Sequence, residues 1–151
     1  MSFTDELAAL FERDLNKLVE NLDEMEKQHL WEAPDGVTNS CGVLAQHIVG
    51  NLNHFVGAAL GDTGYVRKRD LEFTNTGRPK SELIEDIRDL IGILTEVIRG
   101  LDQEDLNAPY PGKISYEGST RKILLHLYGH FSYHMGQVNY LRRIIAGNQA
   151  S

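Results

Sequence analysis

Apolar residues recur at steps of three and four through four separate stretches of this 151-residue chain, and that spacing narrows the possible folds more than any other feature. Such steps keep residues on one face of a helix, and a stripe of this kind must be buried against another element. The first stretch runs from about Phe3 to His29, with Phe3, Leu7, Leu10, Phe11, Leu15, Leu18, Leu22 and Met25 in the stripe. Ser2 and Asp5 are spaced for a capping box at its start. The second runs from about Ser40 to Leu60 on Cys41, Leu44, Ile48, Leu52, Phe55 and Ala59, with Gly61 as its stop. His47, Asn51 and His54 form a polar row on its flank.

The third stretch, about Ser81 to Arg99, buries Leu83, Ile84, Ile87, Leu90, Ile91, Leu94 and Ile98. Ser81 is in place to cap it, and Gly100 to end it. The fourth, about Thr120 to Ala146 with Gly147 as its stop, shares one face among Ile123, Leu124, Leu127, Phe131, Val138, Leu141 and Ile145. Two longer connections remain, Asp62 to Arg78 and Leu101 to Ser119. The second contains LDQEDL, which has the form of one helical turn, and only Lys113 to Tyr116 alternates like a strand. These stretches predict an all-α, antiparallel four-helix bundle with long connecting loops, a single domain over residues 1–151.

The charge balance narrows the partners. A formal net charge of −7 argues against a nucleic-acid or anionic-membrane surface, because both demand a basic patch. The basic clusters Arg67–Arg69 and Arg142–Arg143 are short and read as solvated faces. Cys41 is the only cysteine, which excludes an internal disulfide and a four-cysteine zinc knuckle and suits a reducing cytoplasm. The start, MSFTDELAAL, is acidic and lacks the form of a signal peptide, and no apolar run approaches membrane-spanning length. A cytoplasmic protein with a small-molecule partner is the expectation.

Chemistry concentrates in LLHLYGHFSYHMGQVNYL, residues 124–141. His126, His130 and His134 stand at successive four-residue steps, so they are stacked neighbours on one helix. Two imidazoles at this spacing hold one metal ion if a third ligand comes from another element, and His47 flanks the core face of the second helix. Three such ligands leave a coordination position open, as catalytic sites do. From the residues alone, a hydrogen-bonded polar patch is the competing reading. Phe131 stands where a His-Glu-x-x-His zinc helix demands glutamate, and no Glu-x-x-His pair supports a di-iron carboxylate site.

The order of helices, the histidine in GVLAQHIVGNL and the later GHFSYHMGQVNYLRR resemble the DinB-like metal-binding four-helix bundle superfamily. The run RKRDLEF, Arg67 to Phe73, is similar to an Arg-x-Arg-Asp-x-Glu-Phe element of one of its uncharacterised subfamilies. Met135 stands where many relatives carry a basic residue. The resemblance implies metal ligands at His47, His130 and His134, and a divalent transition metal such as zinc, nickel or iron. It also implies a metal-dependent enzyme, in particular a thiol-dependent transferase acting on small electrophiles with a low-molecular-weight thiol. Metal-assisted hydrolysis and a non-catalytic, stress-associated bundle are the alternatives. Homodimers are common in the superfamily, and the broad Ile/Leu faces of this chain suggest one here.

Other residues carry weaker signals. Asn51, His126 and Gln137 could support a ligand from behind or bond what the metal binds. Arg67 and Arg69 could receive a substrate carboxylate, or form a surface ion pair with Asp70 or Glu72. His54 lies too far along its helix from His47 to share its metal. Cys41 lies at a helix start, where a thiolate is favoured, but its place on the apolar stripe points to packing.

Overall fold

Helices appear where the stripes predict them, and the described residues contain no named strand. The computed structural model describes residues 1–150, with side chains described through residue 147. In chain order the elements are α1 (Phe3–Asp23), α2 (Cys41–Leu52), a π-helical turn (Asn53–Ala58), α3 (Ala59–Gly61), α4 (Arg69–Thr74), α5 (Lys80–Arg99), α6 (Gln103–Asn107) and α7 (Thr120–Ala150). α2, the π turn and α3 follow one another without a break, so they act as one rod. No helix is long and apolar enough to cross a membrane.

The ends of the helices follow local chemistry. Ser2 and Asp5 form the expected reciprocal cap of α1. α1 then stops at Asp23 rather than near His29. Lys80 donates to the carbonyls of Asp23 (2.9 Å) and Met25 (3.0 Å), so a cation satisfies the groups that a longer helix would have used. Met25 and Leu30 stay in the core although the helix has ended, which is why the stripe outruns the helix.

α5 begins one residue before Ser81, with extended Pro79 at its cap position, so Ser81 lies inside the first turn and caps nothing. α7 passes through Gly147 to Ala150. A glycine ends a helix when it turns left-handed, and Gly147 is not among the positive-φ glycines. LDQEDL does form a turn of helix, α6, closed by an Asp102–Asp105 capping box. Lys113 to Tyr116 forms no strand; an isolated bridge joins Pro109 and Ser119 around it.

The stripes meet in one core. α1 lies against α5 and α7, and α2 lies against α4, α5 and α7. Phe11 of α1 stacks on Phe131 of α7, with ring centroids 5.9 Å apart. Each fully buried Leu, Ile or Phe of this core contributes about 1.5–3 kcal/mol. Polar ties join α7 to α1: the Tyr128 hydroxyl donates to buried Asp14 at 2.5 Å, and Arg13 donates to the same carboxylate. α2 and α7 run in opposite directions. Cys41 donates weakly to the Val138 carbonyl (3.6 Å), and one turn further along α2 than Leu44, His47 faces His130 and His134.

The segment between α3 and α5 is held down on α2. Gln46 donates to the carbonyls of Glu72 (3.0 Å) and Asn75 (2.9 Å), and its own oxygen accepts from Arg78 (3.3 Å). Trp31 donates to the Arg78 carbonyl (3.2 Å) and lies flat over Gly42, where any Cβ would strike its ring. This docking places α4 beside the histidines.

Candidate metal centre

His47 faces inward from α2, while His130 and His134 reach across from α7. One ligating nitrogen of each lies within 4.8 Å of the other two. The pair on α7 is closer, with Nε2 atoms 3.1 Å apart. Two nitrogens that bind one ion at about 2.1 Å and a tetrahedral angle would be about 3.4 Å apart, so this spacing suits a shared ion.

The far sides of two rings are tied. His47 Nδ1 donates to Glu72 Oε1 at 3.0 Å, which leaves Nε2 as its free nitrogen. His134 Nδ1 donates to Gln137 Oε1 at 2.7 Å, with the same result. An acceptor behind an imidazole fixes the tautomer and raises the basicity of the opposite nitrogen.

Glu72 is itself held. Arg67 donates from Nε to Oε2 (2.8 Å) and from Nη2 to Oε1 (3.0 Å), and the side chains are only 12% and 7% exposed. Burial pushes the Glu72 carboxyl up, but hydrogen bonds from His47 and Arg67 outweigh it and hold the group below its ordinary value. Gly50, one turn after Gln46 on α2, makes this approach possible, because a Cβ there would overlap the Glu72 carboxylate. An anion is thus fixed behind His47, and a cation behind the anion.

Burial pushes His130 down to about 4, and the neighbouring rings of His134 and His47 add to the effect. Burial lowers His134 as well, with His47 contributing, against the opposing bond to Gln137. These two rings are neutral at pH 7, the form in which imidazole binds metals. The donor set therefore fits a divalent transition metal in charge and in tautomer.

The cluster is accessible from two sides. A cleft of about 470 Å³ is lined by Asn51, Phe55, Lys113–Tyr116, His126, Leu127 and His130. A second, of about 410 Å³, is lined by Val37, Leu44, His134, Gln137, Tyr140 and Ile144 among others. The two share no residue and lie at opposite ends of the α2–α7 seam, with the histidines between them.

The remaining candidates fall into place around this centre. His126 lies outside the cluster, its ring 4.1 Å from that of Tyr116 on the first cleft. Asn51 bonds no histidine; its buried Oδ1 has no protein partner. Arg67 makes the expected pair with Glu72, but the pair is buried rather than on the surface. Arg69 is exposed and lies over the Phe73 ring at 5.1 Å. His54 packs on Phe55 and stays outside the cluster. Cys41 is fully buried, and burial pushes its thiol up to about 12, so it packs and does not react.

Glu72 is the residue that pattern reading missed. RKRDLEF looks like an exposed charged run, and nothing in helical spacing reveals that its sixth residue folds under onto α2. The glycine at position 50, among the histidine-bearing turns of α2, was the available signal of a close approach.

Among curated proteins, none matches this chain. A crystal structure of a protein from Streptococcus pneumoniae is similar in fold, with a TM-score of 0.72 at 18% identity over 97% of this chain and 92% of that one. A family model described as "Protein of unknown function (DUF1572)" matches residues 2–151, and the chain belongs to that family.

Proposed function

We propose that this protein is a metal-dependent enzyme acting on small molecules, built as an antiparallel four-helix bundle of the DinB-like kind. One observation carries the reading: three histidines from two helices converge, two of them oriented from behind, at the meeting point of two solvent-accessible clefts. A structural metal site is closed by four protein ligands, whereas a reacting one needs three and an opening. His47, His130 and His134 would hold zinc, nickel or iron. The ion would supply Lewis acidity toward an oxygen or sulfur nucleophile.

The chain's own residues set the terms of that chemistry. Neutral imidazoles leave the ion's positive charge undiminished, while the Glu72–Arg67 pair behind His47 adds no net charge to the centre. Within the superfamily resemblance, a thiol-dependent transfer to a small electrophile is the favoured reaction. Cys41 is buried and its thiol is raised, so the sulfur must arrive on a low-molecular-weight thiol. A cytoplasmic setting, where such thiols stay reduced, suits this. Metal-assisted hydrolysis is the second reading; among the described residues the carboxylate that adjoins the cluster is Glu72, which already accepts from His47 and Arg67.

Metal analysis of protein purified without chelators tests the centre directly. One equivalent per chain is expected. His130→Ala and His134→Ala should lose it, and His29→Ala and His54→Ala should keep it. Equal metal in all five proteins would remove the assignment. With the metal restored, bacillithiol or mycothiol should then conjugate to 1-chloro-2,4-dinitrobenzene in the native protein and not in the two α7 variants.

A further inference from the structure

The segment from Asp62 to Gly77 is a strap with almost no apolar anchor. Glu72 is its only buried residue; Arg67 and Phe73 are half-buried, and every other residue is exposed, Val66 and Leu71 included. A cleft of about 350 Å³ is lined by Val66, Leu71 and Asn75 of the strap, Val49 of α2 and Leu83 of α5, so strap and body are not packed together there. A surface segment usually stays down by burying apolar side chains. This one has few to bury.

What holds the strap is mostly polar, and it converges on one turn of α2. Gln46 donates to the carbonyls of Glu72 and Asn75, and its neighbour His47 donates to the Glu72 carboxylate. Phe73 brings its ring against that of His47, with centroids 5.2 Å apart. Arg67 closes on Glu72 from within the strap. Glu72 and Phe73 therefore both meet a single residue of the body, and that residue is one of the three clustered histidines. α4, which carries both, is six residues long. Isolated helices shorter than about 12–15 residues are marginal in water, so α4 persists only while it is docked.

We propose that metal binding and docking of this strap are one linked equilibrium, transmitted through His47 to Glu72 and Phe73. The linkage rests on the reading of the histidine cluster as a metal centre. A cation on His47 Nε2 draws electrons from the ring and makes Nδ1–H a stronger donor to the carboxylate behind it. Loss of such a support typically weakens a metal site by about 10–100-fold. Coupling is reciprocal, so the ion must favour the docked strap by the same factor. The empty protein opens the strap more often, releasing α4 and uncovering the back of His47. Occupancy of the centre is thereby displayed on the surface, where a partner or a protease can tell loaded protein from empty.

Hydrogen exchange of the full-length protein tests this, read amide by amide without zinc, with one equivalent and with a tenfold excess. The Asn75 amide, which donates to the Leu71 carbonyl at 3.0 Å, closes the end of α4 and reports docking. Phe73, Thr74 and Asn75 should exchange about 10–100-fold more slowly with zinc. The slowing should be the same at one equivalent and in excess, because strap opening leaves the ion bound. Global unfolding releases the ion, so protection against it grows with free zinc. The Leu106 amide of α6, which bonds to the Asp102 carbonyl away from strap and histidines, should not respond. His134→Ala changes α7 and no strap contact; it should keep the zinc-free exchange rates and lose the response to one equivalent. Glu72→Gln, at saturating zinc, should bring the loaded and empty rates together. Zinc uptake with unchanged strap exchange, an equal response at Leu106, or a full response in Glu72→Gln would overturn the linkage and leave the metal centre standing. A protein that takes up no zinc would remove the centre and the linkage together.

Discussion

His130 shows what its surroundings do to a single side chain. An imidazole in water is half protonated near pH 6.5, yet here burial, followed by the neighbouring rings, drives it to about 4. Between these two values the unfolded chain holds a proton that the folded chain refuses. Stability from this residue is therefore fully present above pH 6.5 and is lost as the pH falls toward 4. At about 1.36 kcal/mol per pH unit, the interval from 6.5 to 5 is worth up to about 2 kcal/mol, and the ring's partial exposure reduces it to about 1 kcal/mol. Urea unfolding of the metal-stripped protein at pH 7 and pH 5 should show this loss, and His130→Asn should show less of it. Identical losses in the two proteins would mean that the ring is not held neutral in the fold.

At the scale of elements, the centre depends on α4 being pressed against α2. Glu72→Gln and Gly50→Ala separate charge from position. The glutamine keeps the size of the side chain but gives Arg67 and His47 a neutral partner, which should weaken metal binding by about 10–100-fold with α4 still in place. The alanine at 50 puts a methyl group where the carboxylate lies, so α4 must move. It should cost about 1–3 kcal/mol of stability and weaken metal binding as well. Competition against a chromophoric chelator and thermal unfolding, measured side by side, resolve the two effects. Unaltered affinity in both variants would reduce Glu72 to a structural role. The same element shows where sequence reading works and where it stops. The four long helices and the His47, His130, His134 set are legible because periodicity places residues on faces, and faces that bury stripes must meet. Glu72 is not legible, because its burial depends on how a non-periodic loop folds back, which is set by Gln46, Trp31, Arg78 and a missing Cβ. The end of α1 is not legible for a related reason, although its Ser2–Asp5 cap and the Gly100 stop of α5 are. Lys80 stops α1 from a position 57 residues beyond Asp23 in the chain, and local signals such as Gly147 carry no information about partners of that kind.

At the scale of the whole molecule, the apolar faces expected to pair two copies are used within one. Leu83, Ile84, Ile87, Leu90, Leu94 and Ile98 of α5 are all buried in the monomer's own core. Another face remains open. On α7, Leu125, Tyr133, Tyr140 and Ile144 are 50%, 66%, 68% and 50% exposed, and Gly129 and Gly136 lie between them at helical steps. Among the described residues, nothing approaches either glycine closely enough to require one. A glycine inside an exposed helix costs about 0.5–1 kcal/mol relative to alanine, so two on one face are unexplained within a monomer. A second copy crossing α7 there would use them, since two helices approach most closely where side chains are absent. We therefore expect a homodimer through α7, and the sign of one substitution tests it. In a monomer, Gly136→Ala should raise stability by about 0.5–1 kcal/mol, independent of protein concentration. In the dimer it should weaken association and lower the unfolding temperature. Tyr140→Glu should give monomers by sedimentation. Native protein that sediments as a monomer up to several hundred micromolar, together with a stabilised Gly136→Ala, would rule the interface out.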